Sequence, residues 1–380
     1  MKIYFYLYAL LVIIFSTVCS FSYETIGVNE NVLLIGYPIN SLNFSDTDYK
    51  DAVIAFTKSC DKLLSFGEDA NIFRQLSDDI TVADIVDTCK VAFNVKDRSE
   101  KYIEFFFKNY FVPYLVVDKT SNSQFGVFTG YYLPELNVRK NKDYIFRYPI
   151  YRKPDDLVKD VPYFTREEIN KGALNNRNLE LFYTDNLVDL FFLQIQGSGF
   201  VKDIDSGELI KIGFDAKNNQ EYSSIGRILL EKNLINSNRL NSIDIKNFLK
   251  DNIDAVQGLM NLNKSYIFFK IIDDNKIVGS QGVELTDNVS LAVDTRYIPL
   301  GLPILLNTDL TLKDGVKKPL NKIMVSQDTG SAINGVVRGD IFFGGGELAE
   351  ELASYQYSNG QYFVLIPRGI EYKLVNSNND

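Results

Sequence analysis

The sequence predicts a mainly β chain with a helical N-terminal region. Three observations carry that prediction. Between residues 46 and 110 apolar residues recur at helical spacings. Beyond Phe111, runs rich in Tyr, Phe, Val and Ile alternate with Gly, Pro and Asn turns. A hydrophobic share of 46% in 380 residues supplies a core for one large or two ordinary domains.

Taken in order, residues 23–44 alternate loosely and read as an extended lead-in. Tyr49, Val53, Ile54, Phe56 and Leu63 then mark a helix from Asp46 to Ser65, with Ser45 as its N-cap. Thr81-Val82-Ala83-Asp84 reads as a capping box opening a second helix through Ala92. A third helix is expected over Ser99–Tyr110. Strands follow at Tyr114–Val117, Phe125–Tyr132 and Tyr144–Tyr151, and a capping box at Thr165–Glu168 opens a helix. Phe191–Ile195 is an apolar run of the kind found in a buried strand. Short helices are expected at Ser223–Leu230 and Ile243–Leu249. Further strands are expected at Tyr266–Ile272, Ser290–Asp294, Pro303–Leu306, Ile323–Gln327, Val336–Phe343 and Tyr362–Ile366. A helix from Glu347 to about Tyr357 would end near Gly360, and Asn376–Asp380 would fray.

Composition excludes several functions. The net charge of -9 argues against nucleic-acid binding, which needs clustered Lys and Arg. The chain has no histidine, so Ser-His and Cys-His nucleophile pairs and His-ligated zinc are ruled out. Acid–base chemistry must fall to Asp, Glu, Lys or Tyr. No metal or organic cofactor is indicated.

Met1-Lys2 followed by apolar residues to Val18 and small residues at Cys19, Ser20 and Ser22 has the pattern of a signal peptide over 1–22. Export to the periplasm is expected. Cys19 raises the alternative of a lipid anchor and outer-membrane association. Cys60 and Cys89 remain as a disulfide candidate, with two free buried thiols as the alternative.

Three segments place polar residues beside glycines at strand ends, where sites often form. They are Gln196-Gly197-Ser198-Gly199, Ala292-Val293-Asp294-Thr295-Arg296, and Gln327-Asp328-Thr329-Gly330 running to Arg338-Gly339-Asp340. Each has a plain structural reading as a turn or ion pair. Asp328-Thr329-Gly330-Ser331 also has the look of an aspartic peptidase signature, with Ile204-Asp205-Ser206-Gly207 as partner. Asp203–Gly207 is polar and reads instead as a hairpin turn.

Together the segments resemble the lytic murein transglycosylase A family. The resemblance rests on Phe128-Thr129-Gly130-Tyr131-Tyr132, Tyr148–Arg152, Phe191–Gly199, Tyr222–Arg227, Tyr266–Phe269, Leu291–Asp294 with Ile298–Gly301, and Gln327–Gly346. It covers roughly 125–367 in the family's order. It implies a double-psi β-barrel with a second, smaller β-domain inserted and a glycan groove between them. The organisation expected is a signal peptide over 1–22, a helical region and first part of the barrel over 23–127, the inserted domain over 128–270, and the barrel domain with the catalytic residue over 271–376.

The resemblance also implies cleavage of the β-1,4 bond between N-acetylmuramic acid and N-acetylglucosamine in peptidoglycan, leaving 1,6-anhydro ends. It places the catalytic aspartate on Asp340, with Asp328 beside it. Gln196, Gly197, Ser198, Thr129, Tyr132 and Asp294 fall in the substrate-binding set. Where many members carry Trp after the catalytic residue, this chain has Phe342-Phe343. The expected partner is the peptidoglycan strand, with other cell-wall enzymes as candidates for recruitment. The rival readings are an inverting glycoside hydrolase using Asp328 or Asp294 as base, and a non-catalytic wall-binding module.

Overall fold

The computed structural model describes residues 25–235, 242–273, 276–330 and 332–376. Cys19 and the segment read as a signal peptide lie outside them. The lead-in is a hairpin, β1 (Thr25–Gly27) and β2 (Val32–Gly36), whose alternate residues are buried. Helix α1 (Tyr49–Leu64) follows, capped by Asp48 rather than Ser45: the Asp48 carboxylate accepts from the N–H of Asp51 at 3.0 Å. The capping box at Thr81 closes only a 3₁₀ turn over Val82–Asp84. The helices α2 (Val86–Val95) and α3 (Glu100–Tyr110) come next. Cys60 of α1 and Cys89 of α2 form a disulfide, with Cα atoms 5.5 Å apart.

The chain then enters a large sheet through β3 (Phe111–Asp118) and β4 (Gly126–Leu133). At Pro134 it passes to a second sheet: β5 (Glu135–Arg139), β6 (Tyr148–Tyr151), helix α4 (Arg166–Asn170) and β7 (Glu180–Thr184). Phe128–Leu133, expected in the inserted domain, therefore belong to the large sheet. Next come helix α5 (Leu187–Gln196), β8 (Ser198–Asp203), β9 (Leu209–Lys217), and helices α6 (Ile225–Glu231), α7 (Ser242–Asp251) and α8 (Ile253–Asn261). β10 (Ile267–Ile272) completes this unit. The run expected as a strand at Phe191–Ile195 is helical. A short apolar run fits a buried helix as well as a strand, and Asn186 decides it by accepting from the N–H groups of Val188 and Asp189. Between β8 and β9 the Asp203–Gly207 segment is a turn, closed by the Gly207 N–H on the Asp203 carbonyl at 2.7 Å.

The chain returns to the large sheet with β11 (Ser290–Val293), β12 (Pro303–Thr311), β13 (Lys317–Asp328) and β14 (Arg338–Gly345). Helix α9 (Glu347–Tyr355), β15 (Tyr357–Pro367) and helix α10 (Arg368–Asn376) end the described chain. Gly360, expected to stop a helix, lies inside β15. With seven of the ten α-helices among the described residues lying beyond Phe111, the fold is mixed α/β rather than mainly β.

The large sheet runs β1-β2-β3-β15-β12-β13-β11-β14-β4, and β15 also pairs with β4. That last pairing closes six strands into a ring. Two pairings within it are parallel, β11 with β13 and β14 with β4. The second sheet runs β10-β9-β8-β5-β7-β6, and an isolated bridge between Arg152 and Phe269 links its two edges.

A charged latch joins the two units. Lys246 of α7 is 6% exposed, pairs with Glu350 of α9, and lies 3.2 Å from Asp189 of α5. The Tyr132 hydroxyl donates to Glu350 at 2.8 Å. Lys246→Met should lower stability by about 1–3 kcal/mol, less than a fully buried pair costs because both carboxylates are about a quarter exposed. A fall in the urea midpoint would show it; an unchanged midpoint would mean that the latch contributes nothing.

Candidate active site

The parallel pairing of β14 with β4 sets Asp340 opposite Thr129, and the antiparallel pairing with β11 sets it opposite Ala292. Ala292 is in turn the register partner of Asp328 on β13. The two aspartates thus flank one small residue on adjacent strands. Thr129 and Tyr131, two apart on β4, share a face of the strand. Thr129 donates its hydroxyl hydrogen to Asp340 Oδ1 and accepts from Arg338 Nη2 at 2.8 Å. Tyr131 donates to Asp328 Oδ2 at 2.9 Å.

Asp328 is fully engaged. Its Oδ1 accepts from the Ser280 N–H (2.9 Å), the Ser280 hydroxyl (2.8 Å) and the Thr329 N–H (2.9 Å). Behind it, Gln327 is buried and tied to the Ala55 carbonyl and the Ser59 hydroxyl of α1, and to Ser290. The N-terminal helices therefore brace the end of β13.

Asp340 is half-buried. Desolvation pushes its carboxyl above the ordinary carboxylate range. The Thr129 hydrogen bond and the Arg338 charge pull the other way, and the Asp328 charge adds to the rise. Burial also raises the Tyr131 hydroxyl, helped by both aspartates, so it stays a donor. If Asp340 acts as an acid, Thr129→Val removes a group that holds its pKa down. The alkaline limb of the pH–rate profile should then move to higher pH, and an unmoved limb would disconnect Thr129 from the proton.

The other expected site residues are placed differently. Asp294 is 4% exposed and forked by Arg296, with the Gly335 N–H adding a bond at 2.8 Å. Burial alone would raise its pKa, but these donors hold it below the usual range. Asp294 pins the loop that leads into β14 and faces inward. Tyr132 lies on the opposite face of β4 from Tyr131, in the charged latch; a period-two strand cannot aim adjacent residues at one site. Gln196 ends α5, exposed, and Gly197 takes the left-handed conformation (φ 81°) that lets the chain turn into β8 at Ser198. This turn lies near the end of β4: the Phe200 N–H donates to the Pro134 carbonyl at 2.8 Å. Phe342 is 1% exposed with its ring 5.1 Å from that of Tyr131, so it is core rather than a stacking face.

Tyr131 and Arg338 stand in the quoted motifs without a role, and Ser280 and Tyr357 stand in none of them. Tyr357 opens β15 directly opposite Thr129 and is 47% exposed. The strand alternation around Thr129 could have indicated Tyr131. Nothing in the sequence indicated that β15 returns beside β4.

This geometry can be set against known proteins. The MltA specific insert domain matches residues 127–270, and the 3D domain matches residues 289–366. A solved membrane-bound lytic murein transglycosylase from Agrobacterium tumefaciens is 30% identical, over 89% of this chain and 99% of that one, with a TM-score of 0.67. The chain belongs to the MltA family. MltA from Neisseria gonorrhoeae is 28% identical over 91% of this chain and 93% of its own, with a TM-score of 0.73. Membrane-bound lytic murein transglycosylase A of Vibrio cholerae is 37% identical over 210 residues, 54% of this chain; the match spans 56% of that relative's own length.

Proposed function

We propose that this protein is a lytic transglycosylase of the cell envelope. It cleaves the β-1,4 bond between N-acetylmuramic acid and N-acetylglucosamine and leaves 1,6-anhydromuramic acid ends. The observation that carries the reading is Asp340: one half-buried carboxyl, raised by desolvation, between Thr129 and the Ala292 floor. The names of the family relatives support the substrate class.

The reaction needs one acid–base group. Oδ1 of Asp340 accepts from Thr129, so the mobile proton sits on Oδ2. That proton passes to the glycosidic oxygen as its bond to C1 breaks. The C6 hydroxyl oxygen of the same muramic acid then closes on C1, and its proton returns to Asp340. An internal nucleophile of this kind removes about 7–11 kcal/mol of barrier. The charge of Asp328 raises Asp340 toward the acid form. Gln196, Gly197 and Ser198 would hold the sugars, and Tyr357 would offer an aromatic face beside Thr129. The barrel is read as the double-psi class, on its six-strand closure and its two parallel pairings. Residues 1–22 are read as a leader, 128–270 as the inserted segment, whose first strand β4 stays in the large sheet, and 271–376 as the barrel domain carrying Asp340.

An inverting hydrolase is the second reading, because a second carboxylate, Asp328 on β13, flanks Ala292 on the side opposite Asp340. The four donors on Asp328 argue against it as a base. Incubation with purified peptidoglycan and mass spectrometry of the soluble products separates the readings. Products about 18 mass units below the reducing muropeptides, the mass of one water, mark the intramolecular attack. Reducing ends would replace the proposal with hydrolysis.

A further inference from the structure

The second unit holds a cavity of about 450 Å³ away from Asp340. A neighbouring hollow of about 540 Å³ shares Arg147, Tyr148, Leu187 and Gln257 with it, so the two form one groove along α5. In its wall is Arg166, 4% exposed, with its guanidinium 4.6 Å from the Phe191 ring centre and 5.2 Å from that of Tyr266. Its partners are the carbonyls of Asn263 (3.0 Å) and Ser265 (2.6 Å) and the side-chain oxygen of Gln194. All three are neutral. A guanidinium carries five N–H donors, so two remain. A buried charge is costly without a counter-charge, and no carboxylate pairs with Arg166 among the described residues. Burial lowers its pKa only to about 10, so it stays a cation at neutral pH.

The opening is cationic as well, in a chain whose net charge is -9. Lys142, Arg147 and Lys171 line it with Arg166, against Asp143 and Glu180. Asp143 is already occupied by Arg139 at 2.6 Å and by the N–H groups of Ile145 and Phe146. Lys171 holds a surface pair with Glu167, which a stronger anion can displace.

We propose that this groove binds a carboxylate-bearing peptide: the peptide stem of the peptidoglycan strand whose glycan lies at Asp340. The proposal rests on the function argued above. Helix α5 supplies the geometry, because its first turns line the groove and its last residue, Gln196, lies near the end of β4. Ten helical residues span about 15 Å, and an extended stem of four or five residues reaches about 13–18 Å. A stem hanging from a sugar at the Gln196 turn can therefore place its carboxylates at Arg166 and the cationic rim. Tyr148 and Tyr183 give apolar faces for its aliphatic side chains.

The test is calorimetric titration of the purified full chain with N-acetyl-L-Ala-γ-D-Glu-L-Lys-D-Ala, with the same peptide amidated at both carboxylates, and with succinate. The free acid should bind at least tenfold more tightly than the amide or succinate. Arg147→Ala with Lys171→Ala should weaken the acid peptide at least fivefold, with an unchanged melting curve and unchanged cleavage of peptide-free glycan. Arg166→Lys should weaken it further; a misfolded Arg166 variant leaves the exposed rim pair to decide. Equal affinity for acid and amide, no binding, or full affinity in the rim variant would overturn the proposal. Succinate binding as tightly as the peptide would reassign the groove to small diacids. If the unaltered protein does not cleave purified peptidoglycan, the transglycosylase reading fails, whatever the peptide does.

Discussion

Asp340→Asn should lower glycan cleavage by about 10²–10⁴-fold, the usual worth of a positioned acid–base group, while glycan binding survives. Retained cleavage would remove Asp340 from the mechanism. The same variant has a second readout. A carboxyl raised in the folded state keeps a proton that the unfolded chain has already released. Between the ordinary value of 3.8 and the raised one, stability therefore falls as pH rises, and the full penalty persists above that window. Asparagine carries no such penalty. The variant should be more stable than the parent at neutral pH and should lose its advantage below about pH 3.8. Inactivity with that stability gain identifies a desolvated acid; inactivity with lowered stability identifies a damaged fold.

Replacing both Cys60 and Cys89 with serine should cost about 3–4 kcal/mol, because the bond closes a sequence separation of 29 residues. The effect should not stop at stability. The disulfide fixes α1, and α1 holds Gln327 through Ala55 and Ser59, immediately before Asp328. The variant should show a lower denaturant midpoint and a lower kcat, and reductant should bring the parent to the same midpoint. An equal midpoint for reduced and oxidised parent would show that the bond does not contribute to stability.

Most helices and strands announced themselves by period. The apolar spacing of α1 and the turn residues around β11 to β15 are local signals, and local signals are what a sequence displays. The run Phe191–Ile195 went astray because its helix is buried on several sides, so no polar face marked the period of 3.6. β5, β7, β8 and β9 went unassigned because their apolar runs are short or interrupted by charge.

The site divided along the same line. Asp340 and Asp328 lie in glycine-rich motifs near strand ends, Thr129 lies within β4, and register brings the three together. Ser280 and Tyr357 come from distant segments that only long-range pairing places there. Tyr132 and Asp294 lie in the same motifs but are engaged by other partners, Glu350 and Arg296. One is turned by strand alternation, the other by its fork with Arg296.

The adjacency of Tyr131 and Tyr132 has a mechanical result. One peptide unit carries a rod to each side: Tyr131 reaches Asp328, and Tyr132 reaches Glu350 and the lysine that grips α5. Any shift of the second unit against the first would be felt at Tyr132 and, through the shared peptide unit, at Tyr131. A substitution that breaks the Lys246–Glu350 pair would thus loosen β4 one residue away from the tyrosine that holds Asp328.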